Sequence, residues 1–501
     1  MRKSVVAVTA GLAAVADAFW RMECQGRVGL ARMDPVVYPG ADSPHMHAIH
    51  GSSGFSETSG TTELLNGNCT SCRVTQDKSA YWHPALYFQD AKTKQFELVP
   101  QVGGMLAYYL LYGDNIKAFP TNFRMVAGDT NRRTYTAGDP TQPDPAKSLW
   151  ASLGQTTQEI LAQRAIGFNC LNYAKAPEGT LYRHFMPDKA YLDANCADGI
   201  RFEIMFPSCW KGGDATDSPN HKDHVAFPDL VMTGNCPPGY PERLPSMLFE
   251  IIWNTNAYAG RDGQFVMSNG DVTGYALHGD FIMGWEEDFL QQAVNTCTNP
   301  SGLIQDCPLF NIVDQSVAEQ CHLEDMPAHL RSEAGNGPFN QLPGGDQVGG
   351  SSPSSGHGHG KPSATPTKGG SAPTLPYQPG VTAPMKGSPL PGQVFKEAAT
   401  DNGYGMQIAA VESNKPSVTG SPAGPAVNAE GAVISTQFIT VGNVVSEILW
   451  KQAYVTVTEE PQPSTTVTVT ATGARPAKHR RSAHGHGHGH GHGHVQGQGQ
   501  L

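Results

Sequence analysis

All ten cysteines of this 501-residue chain, Cys24, Cys69, Cys72, Cys170, Cys196, Cys209, Cys236, Cys297, Cys307 and Cys321, fall between positions 24 and 321. None follows in the last third. The N-terminus gives that even count its meaning. "MRKSVVAVTAGLAAVADAFW" carries a basic start at Arg2 and Lys3, a run of small apolar residues to Val15 and an Ala16-Asp17-Ala18 cleavage site. That is the form of a secretory signal peptide over 1–18, with a mature chain beginning near Phe19. Cysteines in an exported chain are expected as disulfides, here up to five, in a pairing that sequence does not fix. Cys69-x-x-Cys72 has no second C-x-x-C to complete a zinc site, so two structural half-cystines are expected. Asn68-Cys69-Thr70 is a glycosylation sequon at Asn68.

The chain divides by texture. Residues 19–330 are punctuated like a globular domain and are long enough to bury a sizeable core. Residues 331–432 are rich in Gly, Ser and Pro and are expected to be a disordered linker, because they hold too little apolar surface to offset ordering entropy. An apolar island, 433–457, follows. The end, 458–501, reads as a Thr/Val stalk and a His-Gly tail holding His484, His486, His488, His490, His492 and His494. Alternating imidazole and glycine can hold Cu(II) or Zn(II) adaptably, although it equally fits a repeat expansion without a role. Lys478-His479-Arg480-Arg481 is a dibasic site at which a protease of the secretory pathway could release the tail near Arg481.

The formal net charge is −11; without the signal peptide 32 basic and 44 acidic residues remain, a net of −12. An acidic chain has no electrostatic reason to hold nucleic acid or an anionic membrane surface. No apolar run after the signal peptide is long enough to span a bilayer. No G-x-S-x-G, H-E-x-x-H, dinucleotide-binding glycine pattern or P-loop occurs.

The apolar runs of the domain are short and strand-like: 85–89, 199–210, 246–253 and 263–270. In "RFEIMF", Phe202, Ile204 and Phe206 alternate with Arg201, Glu203 and Met205, the pattern of a half-buried strand. The segment 284–297 reads as an amphipathic helix, and 144–168 is ambiguous. The expected fold is mainly β: an antiparallel, jelly-roll-like β-sandwich with long disulfide-stapled loops and few short helices, followed by a disordered C-terminal tail.

The histidines of the domain cluster. "SPHMHAIHG" (43–51) holds His45, His47 and His50; the first two share one face if the segment is extended. "SPNHKDHVAFPD" (218–229) holds His221, Asp223 and His224, and "GYALHGDFIMGW" (274–285) holds His278 and Asp280. Three loops each bring a His with another His or an Asp. If they converge, the set suits a transition metal, Zn or Cu, bound by His45, His47, His221, His224 and His278. It equally suits metal-free acid–base catalysis by those histidines and Asp280. Each His can also be a loop residue satisfied locally.

These motifs resemble a known family. "FWRMECQGRVGLARMDPVVYPGADSPHMHAIHGSSGF", "CTSCRVTQDKSAYWHPALYF", "RFEIMFPSCWKGGDATDSPNHKDHVAFPD" and "FVMSNGDVTGYALHGDFIMGW" are similar, in order over about 19–285, to the secreted fungal proteins carrying the domain of unknown function numbered 1996. The matching positions include Arg32, Asp34, His45, His47, Trp82, Arg124, Asp129, His221, His224, His278, Gly279 and Asp280; His50 is not assigned to the pattern. The resemblance implies secretion and a filamentous-fungal source, and some members carry wall-binding modules. It implies no activity.

On this footing the expected role is that of a secreted protein, extracellular or in the cell wall. It would act on, or bind, a wall or extracellular polysaccharide through the His/Asp-rich loops. As an enzyme it would be a hydrolase or lyase. Trp82, Arg124, Trp210 and Trp285 are the candidate sugar contacts, since aromatic faces stack on sugar rings. Glu203, Glu250, Asp271, Glu286 and Glu287 are carboxylates whose spacing would decide glycosidase chemistry. The alternatives are a wall or matrix protein that binds without turnover, and an extracellular copper- or zinc-binding protein.

Overall fold

A computed structural model describes residues 18–349 and the backbone of four further strands. Two five-stranded antiparallel sheets dominate. The first carries, in spatial order, Ala18–Cys24, Gln101–Leu111, Ser246–Trp253, Ile200–Met205 and Ile166–Cys170. The second carries Gly29–Ala31, His47–Gly51, Ala80–Pro84, His278–Ile282 and Arg124–Gly128. Two three-stranded sheets flank them. The fold is mainly β and antiparallel, with few helices, as the short runs predict.

The strands face one another because their apolar residues alternate. Phe202 and Ile204, Met247, Phe249 and Ile251, and Met105, Ala107 and Tyr109 point into the core from the first sheet. Tyr81, Met125, Ala127 and Phe281 meet them from the second. Tyr81 sits edge-on to Phe249 at 5.6 Å, and its hydroxyl lies 2.7 Å from that of Tyr109. Such pairs add about 0.5–1.5 kcal/mol each beyond the area they bury.

The strand Ile200–Met205 differs from the half-buried expectation: both faces are buried. The outer face of the first sheet is covered by a second apolar layer, in which Trp150, Leu161 and Phe227 pack on Leu106, Tyr108 and Leu248. Arg201 therefore lies inside the protein. It pairs with Glu203 at 2.9 Å and Glu250 at 3.4 Å, and the Tyr108 hydroxyl donates to Glu250 at 2.8 Å. The ambiguous 144–168 stretch resolves into a 3-10 turn Lys147–Leu149, a helix Gln158–Arg164 and the start of a strand at Ile166. The amphipathic stretch forms a helix over Glu287–Thr296 that buries Leu290, Ala293 and Val294.

All ten cysteines are paired: Cys24–Cys72, Cys69–Cys321, Cys170–Cys196, Cys209–Cys236 and Cys297–Cys307. Cys69 and Cys72 thus belong to two different bridges. Ordered packing continues past residue 330. Phe339 forms a backbone bridge with Phe96, and Glu333 bonds the Arg32 guanidinium.

Further on, Lys396–Ala398 pairs with Gln407–Ala409. In the unit from Pro416, Val433–Val441 pairs with Val444–Lys451, so the apolar island contains an antiparallel hairpin. The expected signal peptide up to Asp17, most of the linker, and the stalk and tail with its six histidines lie outside the described residues. Among the described residues no helix is long and apolar enough to cross a membrane.

Candidate metal centre

Register brings distant histidines together. On the second sheet His47 pairs with Pro84, and Asp280 pairs with Trp82. Extending that second register sets His278 opposite Pro84 as well. His47 and His278 therefore flank the small Pro84 on the outer face of the sheet, and His45 reaches in from the turn before the strand. Gly128, beside His278 in the register, has φ 82°; a Cβ there would stand 2.8 Å from the His278 Cα. That close approach of backbone requires glycine.

The His45 and His278 Nε2 atoms lie 3.1 Å apart, and the His45 and His47 ring centres 4.5 Å apart. One ligand atom from each of His45, His47 and His278 falls within 4.8 Å of the others. Zn–N bonds of about 2.0–2.1 Å give a tetrahedral edge of about 3.3 Å, so this spacing fits one ion. All three rings are buried.

The second nitrogens are arranged as metal ligands require. His47 Nδ1–H donates to the Met33 carbonyl at 3.2 Å, and His278 Nδ1–H to the Ala276 carbonyl at 3.0 Å. His47 thereby keeps its Nε2 lone pair free, whereas His278 Nε2 accepts from His45 Nε2–H at 3.1 Å; carbonyl bonds of this kind fix the tautomer of ligating histidines. His47 Nε2 and His45 Nδ1 are buried with no hydrogen-bond partner. Burial holds His45 and His47 well below the ordinary imidazole range, helped by the neighbouring imidazoles; burial brings His278 down to about 4. The rings are thus neutral, the form that binds metal.

His45 and His278 line a cavity of about 810 Å³ on the same sheet face, and His47 lies behind them, outside its lining. Its lining includes Asp34, Tyr38, His45, Asp129, Asn131, His221, Lys222, His278 and Asp280. Asp34 Oδ1 accepts from the Val36 and Val37 N–H groups, which curls the 34–38 loop over the site. Burial pushes Asp34 up to about 6 against those two bonds. Asp280 is pushed well above the carboxylate range, first by burial and then by the Asp34 charge.

The remaining predicted site residues fall elsewhere. His221 is on the cavity rim, but it bonds Asp217 at 2.7 Å and stands apart from the three-histidine cluster. His224 turns away, with Nδ1 on Ser218 at 3.0 Å and its ring against Phe123. His50 points to the opposite face of its strand and stacks on His83 at 5.7 Å. Arg124 sits 3.7 Å from Asp217. Trp82 is 0 % exposed, Trp285 1 % and Trp210 7 %, so none offers a free face to a sugar ring. Trp285 donates to Tyr109, and Trp210 to the Ala215 carbonyl. Glu203 and Glu250 are the partners of Arg201 and lie outside the cavity lining, as do Asp271, Glu286 and Glu287. The Asn68 backbone N–H is held by Glu324, and its residue is exposed. Sequence reasoning gave no role to Tyr38, Asn131 or Lys222, which carry no spacing signal. Asp34 and Asp129 matched the family pattern only as positions.

The fold and site define a disulfide-stapled antiparallel β-sandwich with three convergent buried histidines. The chain belongs to the family described as a domain of unknown function (DUF1996), which it matches over residues 34–285. That span holds all three histidines and both cavity-floor carboxylates. No curated protein and no solved structure matches the chain.

Proposed function

We propose that this is an extracellular metalloprotein in which His45, His47 and His278 hold one zinc or copper ion, and that the cavity above them takes a polysaccharide segment or a similar hydroxyl-rich ligand. The convergence of three neutral, buried imidazoles, two of them with an unpartnered nitrogen (His45 Nδ1 and His47 Nε2), carries the metal reading. The basic-apolar-small N-terminus and the five disulfides support export. For the ligand, the cavity has the size of a small-molecule site and is lined by carboxylates, amides and one tyrosine. An ion held by three histidines with an open position can polarise an oxygen or activate a water, which suits a hydrolase or lyase. The buried tryptophans favour a second reading, an extracellular zinc- or copper-binding protein without turnover, because they remove the expected stacking faces.

The test is metal retention by the full chain, dialysed against a zinc chelator that strips the weak His-Gly tail. Wild type is expected to keep one zinc, and His47→Ala none. Equal zinc in both would overturn the metal reading. Saccharide titration of the zinc-loaded chain, with His45→Ala as the control, tests the ligand reading.

A further inference from the structure

The floor of the cavity holds an anomaly that the three histidines leave unexplained. Asp280 is 1 % exposed, and neither of its carboxylate oxygens has a hydrogen-bond partner. It follows His278 by two residues on one strand, so both side chains rise from the same sheet face into the same cavity. Asp34, also buried, lines that cavity and interacts electrostatically with Asp280. An ionised carboxylate taken from water without partners costs several kcal/mol. The Lys222 charge offsets part of this cost, but its ammonium donates to the Gly128 carbonyl at 2.5 Å and makes no hydrogen bond to Asp280. Asp280 stands outside the set of ligand atoms that lie within 4.8 Å of one another, so it is beside the centre and not one of its close ligands.

Resting on the metal reading above, we infer that Asp280, with Asp34, is the anionic partner of the three-histidine centre, making it a site for a divalent ion whose open side faces the cavity and takes an oxygen ligand. Three neutral imidazoles supply no charge to balance a dication. Two carboxylates buried beside them do, and the dication in turn offsets the cost of keeping them ionised. A monovalent Cu(I) ion gains much less from such a pair. The open side lies toward the carboxylates, where a bound water or a substrate hydroxyl can donate a hydrogen bond to Asp280. This gives the orphaned oxygens a partner. Outer partners of this kind change metal affinity by about 10–100-fold.

The experiment measures Zn(II) and Cu(I) dissociation constants of the full chain by competition with chelators strong enough to empty the tail. Asp280→Asn keeps the shape of the side chain and removes its charge. Asp34→Asn keeps an Oδ1 acceptor for Val36 and Val37, so it preserves the loop. Each variant is expected to weaken zinc by about 10–100-fold and Cu(I) by less than about threefold, with an unchanged thermal transition in the metal-free form. Zinc held as tightly as in wild type by both variants overturns the inference. So does an equal loss of Zn(II) and Cu(I), which would mark a geometric role. Zinc bound equally well by His47→Ala would instead overturn the metal reading itself.

Discussion

Gly279 separates the two site residues of its strand, and its own missing side chain faces the other sheet. A Cβ built there meets Phe206 Cζ at 3.0 Å, Ile204 Cδ1 at 3.1 Å and Phe249 Cδ2 at 3.3 Å. These two rings and one methyl lie in or directly after strands of the first sheet and are fully buried, so they have no solvent to move into. The backbone is outside the left-handed region, and alanine carries no conformational penalty. Two effects then compete in Gly279→Ala. Overpacking a tight core costs about 1–3 kcal/mol. Restricting the unfolded chain returns about 0.4–1 kcal/mol. Packing wins, for a net loss of about 1–2 kcal/mol and a fall of roughly 2–4 °C in melting temperature. Scanning calorimetry of the full chain measures it. Gly279→Val costs more, and because His278 and Asp280 ride on the same strand it should also weaken zinc retention. A melting temperature for Gly279→Ala equal to or above wild type would refute the argument that the two sheets leave no room behind the site.

Asp77 gives a pH dependence of known sign. Burial raises its carboxyl to about 6, although the Tyr81 hydroxyl and the Ser79 N–H donate to it. The folded state therefore holds a proton that the unfolded chain, with an Asp pKa of about 3.9, has already lost. The stabilisation is complete below about pH 4 and is lost as pH rises to about 6, at most about 3 kcal/mol; Asp77→Asn should flatten this part of the stability–pH curve in urea titrations. The same slope in wild type and variant would remove Asp77 as its source. The Cys69–Cys321 bridge closes a separation of 252 residues. Replacing both cysteines by serine should cost about 2–5 kcal/mol, read from the urea midpoint, and an unchanged midpoint would show that the other four bridges already hold the segment.

The period-two pattern made several elements legible. "SMLFEIIW" is a strand over its full length, and "RFEIMF" shows which residues face the core. The same period put His45 with His47 and His278 with Asp280. It could not show that Arg201 is buried, because the layer covering it comes from Trp150 and Phe227, far away in the chain. It could not show that His45 and His278, 233 residues apart, touch, since strand register across Pro84 decides that. The H-x-x-H spacing of His221 and His224 pointed to a shared site, yet the loop turns the two rings apart and gives each its own partner. The tryptophans misled for a related reason: an aromatic near His and Asp residues in the sequence reads as a sugar contact, whereas Trp285 closes the core beneath the helix at Glu287–Thr296.

The most direct test is anomalous X-ray scattering at the zinc edge from crystals of the chain grown with zinc. The account predicts one strong peak within about 2.0–2.1 Å of a ring nitrogen of each of His45, His47 and His278, on the cavity side of Pro84. A peak at other residues, or no peak among these three rings, would contradict it.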